Sequence, residues 1–147
     1  MSDINATITQ PVIQITFPAS GTGPAGPPGP SGGSVITWTA GENMSTGRVV
    51  VIDNGEAFYF QPTDATHHGR AYGITTTSAT AGNDVDVQIC GEVIDAAFTF
   101  SPDLPVWVDV DGEIVDTQPA TTLIQKAGVT TTAQKILIDF SISIKKS

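Results

Sequence analysis

His67 and His68 are the only histidines and follow Asp64 in Pro62-Thr63-Asp64-Ala65-Thr66-His67-His68-Gly69. An imidazole beside a carboxylate is a common route to acid–base or metal chemistry near neutral pH. Adjacent residues of an extended chain point apart, so one site would take only one of the pair. A polar loop with a short helical turn accounts for the stretch without any site. Asp109-Val110-Asp111-Gly112-Glu113 superficially resembles a calcium loop. Such a loop needs oxygen ligands at alternate positions, with Gly sixth and Glu twelfth. Here Gly is fourth, and Val110 and Ile114 continue strand patterns, so a hairpin turn is expected. Asp84 and Asp86 read as a solvent-facing strand pair. Cys90 ends the run Val87-Gln88-Ile89-Cys90 with no cationic or histidine neighbour in sequence to activate it. A small buried core residue is the expected role. Trp38, Trp107 and Tyr59 could stack on sugar rings, but each sits inside a strand pattern, which favours a core or subunit-interface place. The chain has no G-x-S-x-G elbow, P-loop, dinucleotide glycine pattern or HExxH. No catalytic, cofactor or metal residue is therefore expected, nor an enzyme.

The elements that must carry these residues follow from composition and spacing. The chain has 147 residues, room for one ordinary domain and an appendage. Six Lys plus Arg stand against 15 Asp plus Glu, a net charge of −9. Too few cations are present to build the basic stripe that nucleic acid requires. An anionic membrane surface would repel the chain for the same reason. With one Cys, no intrachain disulfide can form. The first five residues lack the basic and apolar regions of a secretory signal, so none is expected there.

Three segments are expected. Residues 1–17 form an arm in which Ile4, Ile8, Val12, Ile13, Ile15 and Phe17 are apolar, the last three alternating with Gln14 and Thr16. That is strand periodicity without a core of its own. The arm either folds back on its own domain or adds as a docking strand to another subunit. Residues 18–33 contain eleven Gly or Pro in 16 positions, with Gly23, Gly26, Gly29 and Gly32 at strict three-residue spacing. Only Gly fits the axis of a collagen triple helix, and Pro presets the extended backbone. Three triplets cannot hold three chains unaided, but can once flanking parts raise the local concentration. A semi-rigid single-chain linker of about 3.1 Å per residue is the other reading. Either way the segment is a spacer.

Residues 34–147 form the body. Val35–Thr39 opens it. Gly47–Asp53 carries Val49, Val50, Val51 and Ile52, consistent with a strand buried on both faces. Asn54-Gly55 is a strong hairpin signal and leads into Ala57–Phe60. Arg70–Thr77 and Asp84–Val93 are further β-rich runs. Leu104, Val106, Val108 and Val110 alternate up to a tight turn at Asp111-Gly112, and Ile114 and Val115 lead back. Ile136, Ile138, Phe140, Ile142 and Ile144 form a five-member apolar face. No stretch of ten residues sustains a helical period. The fold class is all-β, a small barrel or sandwich.

The order Ala40-Gly41-Glu42, Gly47-Arg48-Val49-Val50, Asp53-Asn54-Gly55 and Gly69-Arg70-Ala71-Tyr72-Gly73-Ile74 continues into Ala81-Gly82-Asn83-Asp84-Val85-Asp86-Val87-Gln88 and Gly91-Glu92-Val93. Pro105-Val106-Trp107-Val108, Gln125-Lys126-Ala127-Gly128-Val129 and Lys135-Ile136-Leu137-Ile138-Asp139 complete it. Over about residues 35–140 this resembles small tailed-phage virion proteins of the capsid decoration (cement) and head-fibre kind. A collagen-like stretch beside an apolar arm is similar to phage fibre proteins. The resemblance implies a trimer acting by binding, with no catalytic residue to carry over. Its implied partners are the major capsid protein and two further copies of the chain. Its implied place is the capsid surface of the virion, after synthesis in the host cytoplasm. The arm residues named above would dock on the capsid, and the four spaced glycines would bundle or space three chains. The alternative is a tail-fibre or receptor-binding module contacting a host-surface glycan. A minimal cement module would not need the Gly-Pro spacer, which is where the chain departs from the pattern.

Overall fold

A computed structural model describes residues 34–140 and 143–147. The described residues are all-β, as the alternation implies, apart from two single 3-10 turns. The first unit has five strands: β1 (Val35–Ala40), β2 (Val49–Asp53), β3 (Glu56–Tyr59), β4 (Gly73–Thr75) and β5 (Asp84–Gln88). They pair in the order β1-β3-β2-β4-β5, and β5 pairs back with β1, so the circuit closes into a ring. Closure matters because each open sheet edge exposes unpaired backbone groups. Only the β1–β3 contact is parallel, and it is brief, matching Thr39 and Ala40 of β1 to Glu56 and Ala57.

The second unit has β6 (Glu92–Ile94), β7 (Pro105–Val108), β8 (Ile114–Val115), β9 (Leu123–Thr132) and β10 (Lys135–Ile138), ordered β6-β10-β9-β7-β8. A short β11 (Ser143–Lys145) pairs with the start of β9. All these pairings are antiparallel.

The hydrophobic pattern of β2 explains how the units join. Val50 turns into the ring with Ala40, Met44, Ala57, Val85 and Val87. Val49 and Val51 turn the other way, into a core shared with Ile74, Val93, Val106, Leu123 and Ile136. The run Val49–Val51 is fully buried, which is the two-faced burial its sequence suggests. The β2–β3 turn behaves as Asn54-Gly55 demands, with φ of +47° and +85° and Asp53 opposite Glu56.

Several expected elements are redrawn. The run Asp84–Val93 is two strands, broken at Ile89–Gly91 where the chain leaves the ring for the second sheet. Arg70–Thr77 contributes only Gly73–Thr75, because residues 61–72 are taken up by a loop built around the 3-10 turn Ala65–His67. Val110 does not extend β7. It lies exposed in the 3-10 turn Val110–Gly112, and the hairpin closes through Asp109 N–H donating to Glu113 O at 2.7 Å. The apolar face expected from Ile136 to Ile144 holds for Ile136, Ile138 and Phe140 at the shared core. Ile144 is exposed, and Ile142 lies outside the described residues. The ladder itself explains the change. Ile138 faces Gly128 and Ser143 faces Gln125, five residues against three, so β10 and β11 are separate pairings along β9 and not one continuous strand. The central and longest strand, β9, is one the alternation did not single out.

Candidate functional site

The titratable residues with the strongest chemical potential meet in one cleft of about 320 Å³ on the ring, lined in part by Glu42, Asp53, Tyr59, Asp64, His67 and Arg70. Asp64 caps the 3-10 turn, accepting from the Thr66 N–H at 2.8 Å and from the Thr66 hydroxyl at 2.7 Å. Those two bonds, the hydroxyl's first, hold its carboxyl below the usual aspartate range, helped by the nearby charges of His67 and Arg70 and only partly opposed by desolvation. His67 Nδ1 accepts from the Gln61 N–H at 2.8 Å, while its Nε2 lies 3.8 Å from Asp64. The ring leans against Phe60, with centroids 5.8 Å apart. His68 points elsewhere, its Nε2 3.2 Å from Ser143 O in β11. The two histidines therefore diverge, as adjacent positions should.

The other polar groups of the cleft are also committed. Glu42 accepts from the Tyr59 N–H at 2.8 Å. Arg70 donates to Ile52 O at 2.8 Å and to Asp53 at 3.1 Å. A His–Asp contact does form, but both partners are spent on holding a loop. The arrangement fastens residues 61–70 to the ring rather than activating a proton donor or a nucleophile.

The acidic turn has a comparable task. Its Gly112 N–H donates to Phe60 O at 2.9 Å. Gln61 Nε2 donates to Asp111 Oδ1 at 2.6 Å, and the Asp111 N–H donates to Gln61 Oε1 at 3.2 Å. The hairpin of the second unit thus plugs onto the ring. Gly112 has φ +65°, and a Cβ there would stand 2.1 Å from Val49 O, so only glycine lets the turn approach β2. Among the described residues no three of His, Cys, Asp and Glu converge on a metal position. Also among the described residues, no helix is long and apolar enough to cross a membrane.

Cys90 departs from its expected buried place. It is exposed at the crossover between the two units, where its Sγ accepts a weak bond from the Ser34 N–H at 3.4 Å. The apolar run that seemed to bury it ends two residues earlier, at the last residue of β5. Trp38 packs beside the ring core edge-on to Tyr72, with centroids 5.6 Å apart. Tyr59 packs there too, its hydroxyl accepting from the Ser45 N–H at 2.6 Å. Trp107 belongs to neither core. The docking residues Ile4, Ile8, Val12, Ile13, Ile15 and Phe17, and the spacer glycines Gly23, Gly26, Gly29 and Gly32, lie outside the described residues.

Residues 30–136 match the family described as phage cement protein, from the end of the Gly/Pro stretch through the first residues of β10. The chain belongs to the phage cement protein family. No curated protein matches it. Membership makes this cement protein a structural, capsid-associated component of a bacteriophage virion, in a family that is normally non-enzymatic.

Proposed function

We propose that this cement protein decorates the outer surface of the capsid as a homotrimer anchored by its N-terminal arm. The observation that carries the reading is the family match across residues 30–136, borne by a two-unit all-β fold whose polar clusters are structural. Residues 1–17 dock on the major capsid protein by strand addition, with Ile13, Ile15 and Phe17 as the buried face. Residues 18–33 space or bundle three chains through Gly23, Gly26, Gly29 and Gly32. Residues 34–147 are the projecting body, and the net charge of −9 keeps it hydrated and apart from nucleic acid.

Deletion of residues 1–17 tests the anchor. The shortened protein is expected to remain in the supernatant when capsids are sedimented, whereas the full chain pellets. Equal pelleting of both removes the docking role. The alternative, a tail-fibre module contacting host glycan, is supported by Trp107, an aromatic side chain outside both cores. It requires binding on a glycan array that a Trp107→Ala variant loses. A blank array beside intact capsid binding eliminates it.

A further inference from the structure

We infer that the two units are copies of one five-stranded unit, and that the second is an opened copy that clamps the ring and lets go while the ring stays closed. The inference does not depend on where the chain binds.

Strand order is the same in both units. The ring, read from β3, runs β3-β2-β4-β5-β1, and the second sheet, read from β8, runs β8-β7-β9-β10-β6. The counterparts follow the chain, β1 with β6 through to β5 with β10. The registers match as well. Val50 faces Gly73 and Thr75 faces Val87 in the ring, while Val106 faces Gly128 and Thr130 faces Ile136 in the second unit. Ile36 faces Val87 as Val93 faces Ile136.

The sequence carries the same trace. Gly73-Ile74-Thr75-Thr76-Thr77 returns as Gly128-Val129-Thr130-Thr131-Thr132. The repeated residues have one task in both places. The Thr75 hydroxyl accepts from the Arg48 N–H at 3.0 Å and donates to Ser45 O at 2.7 Å. The Thr130 hydroxyl accepts from the Leu104 N–H at 2.9 Å and donates to Ser101 O at 2.7 Å. Each of these two loops turns through a positive φ, +69° at Gly47 and +61° at Asp103. A Cβ on Gly73 would run into the carbonyl of Gln88, and one on Gly128 into that of its counterpart Leu137. The same hydroxyl, loop and glycine at matching registers are the mark of a repeated structural unit.

The copies differ in closure, and closure sets which of them stands alone. β1 has six residues and closes the ring by laying Thr39 and Ala40 beside Glu56 and Ala57. β6 has three. The chain turns away after it, with the Phe98 N–H donating to Asp95 O at 3.1 Å, and among the described residues no ladder joins β6 to β8. The ring's own β2 stands in the opening, where Val49 and Val51 share a core with Phe98 and Ile114. The ring keeps a separate core, Val50 with Ala40, Ala57, Val85 and Val87. The second unit has no such core, because its inner residues pack together with Val49, Val51 and Ile74 of the ring. A unit that buries its apolar face only against its neighbour opens first and does not outlast it.

The test uses the full chain, unfolded in urea and followed by tryptophan fluorescence. Trp38 lies on β1 and Trp107 on β7, so Trp107→Phe leaves a probe of the ring and Trp38→Phe a probe of the clamp. The Trp107 transition is expected at lower urea than the Trp38 transition. Added to these backgrounds, Gly128→Ala should lower the Trp107 midpoint by about 1 M and leave the Trp38 midpoint in place. Gly73→Ala, the equivalent change in the ring, should lower the Trp38 midpoint without the clamp outlasting it. One transition shared by both probes overturns the inference, as does a Trp107 signal that survives loss of the ring. Hydrogen exchange of the wild type in rising urea decides if a variant fails to fold. The Ile136 amide should open at lower urea than the Val87 amide, its counterpart, and equal opening overturns the inference.

Discussion

Replacing Gly112 with Ala is expected to loosen the joint between the two units, and Gly55→Ala supplies the internal reference. Both glycines have positive φ, +65° and +85°. An L-residue in that conformation costs about 1–2 kcal/mol at either position. The positions differ in their surroundings. A Cβ on Gly55 meets nothing within 4 Å, whereas a Cβ on Gly112 meets the Val49 carbonyl oxygen at 2.1 Å. β2 cannot retreat, since Val49, Val50 and Val51 are fully buried against both cores. The turn must lift instead. Lifting breaks the Gly112 N–H bond to Phe60 O and the two bonds between Asp111 and Gln61. At about 1 kcal/mol each, these add roughly 3 kcal/mol to the conformational cost. For a domain of this size about 1 kcal/mol shifts Tm by about 4 °C. Gly112→Ala should then melt roughly 12 °C below Gly55→Ala at matched protein concentration. Thermal and urea unfolding of both variants reads the difference. Equal melting temperatures would refute the claim that this turn docks on β2 through a contact only glycine permits.

Other consequences can be checked in the same preparations. Thr75 and Thr130 are fully buried hydroxyls that bind loop backbone, Thr75 donating to Ser45 O at 2.7 Å and Thr130 to Ser101 O at 2.7 Å. Thr75→Val or Thr130→Val strands those carbonyls and should each destabilise by about 2 kcal/mol in urea melts; a change below about 0.5 kcal/mol contradicts the assignment. Asp64 has a lowered pKa in the folded state, so its capping contribution is present above the ordinary aspartate range and disappears as pH falls through the lowered value. The Thr66 amide shift should titrate with a midpoint below that of a free aspartate, and a midpoint at or above it would be inconsistent with the cap. Exposed Cys90 should take one equivalent of a thiol reagent per chain in the native protein. Reaction that begins only on unfolding would return the thiol to a buried place.

The parts of the fold legible in the sequence were those set by short-range chemistry. Asn54-Gly55 forms its turn because both residues adopt positive φ, and Val49–Val51 is buried on two sides as an unbroken apolar run must be. What depended on long-range pairing was less visible. In β9, Gln125, Lys126 and Gly128 interrupt the apolar residues and hide any period of two, yet it is the centre of its sheet. Gln125 is buried, with its amide donating to Lys126 O. Gly128 leaves room for the backbone of Leu137. A ladder shift between Val106 and Trp107 further disturbs the period. The His67–Asp64 contact could be guessed from spacing, but not that the Gln61 backbone would occupy Nδ1.

The central claim, a capsid decoration protein, is tested most directly by a cryo-electron microscopy reconstruction of the virion, comparing particles that carry this chain with particles from a deletion mutant. Difference density on the outer capsid shell, grouped in threes and of a size to hold the two β units, is the expected result. Difference density confined to the tail or its tip, with an unchanged capsid surface, would contradict it.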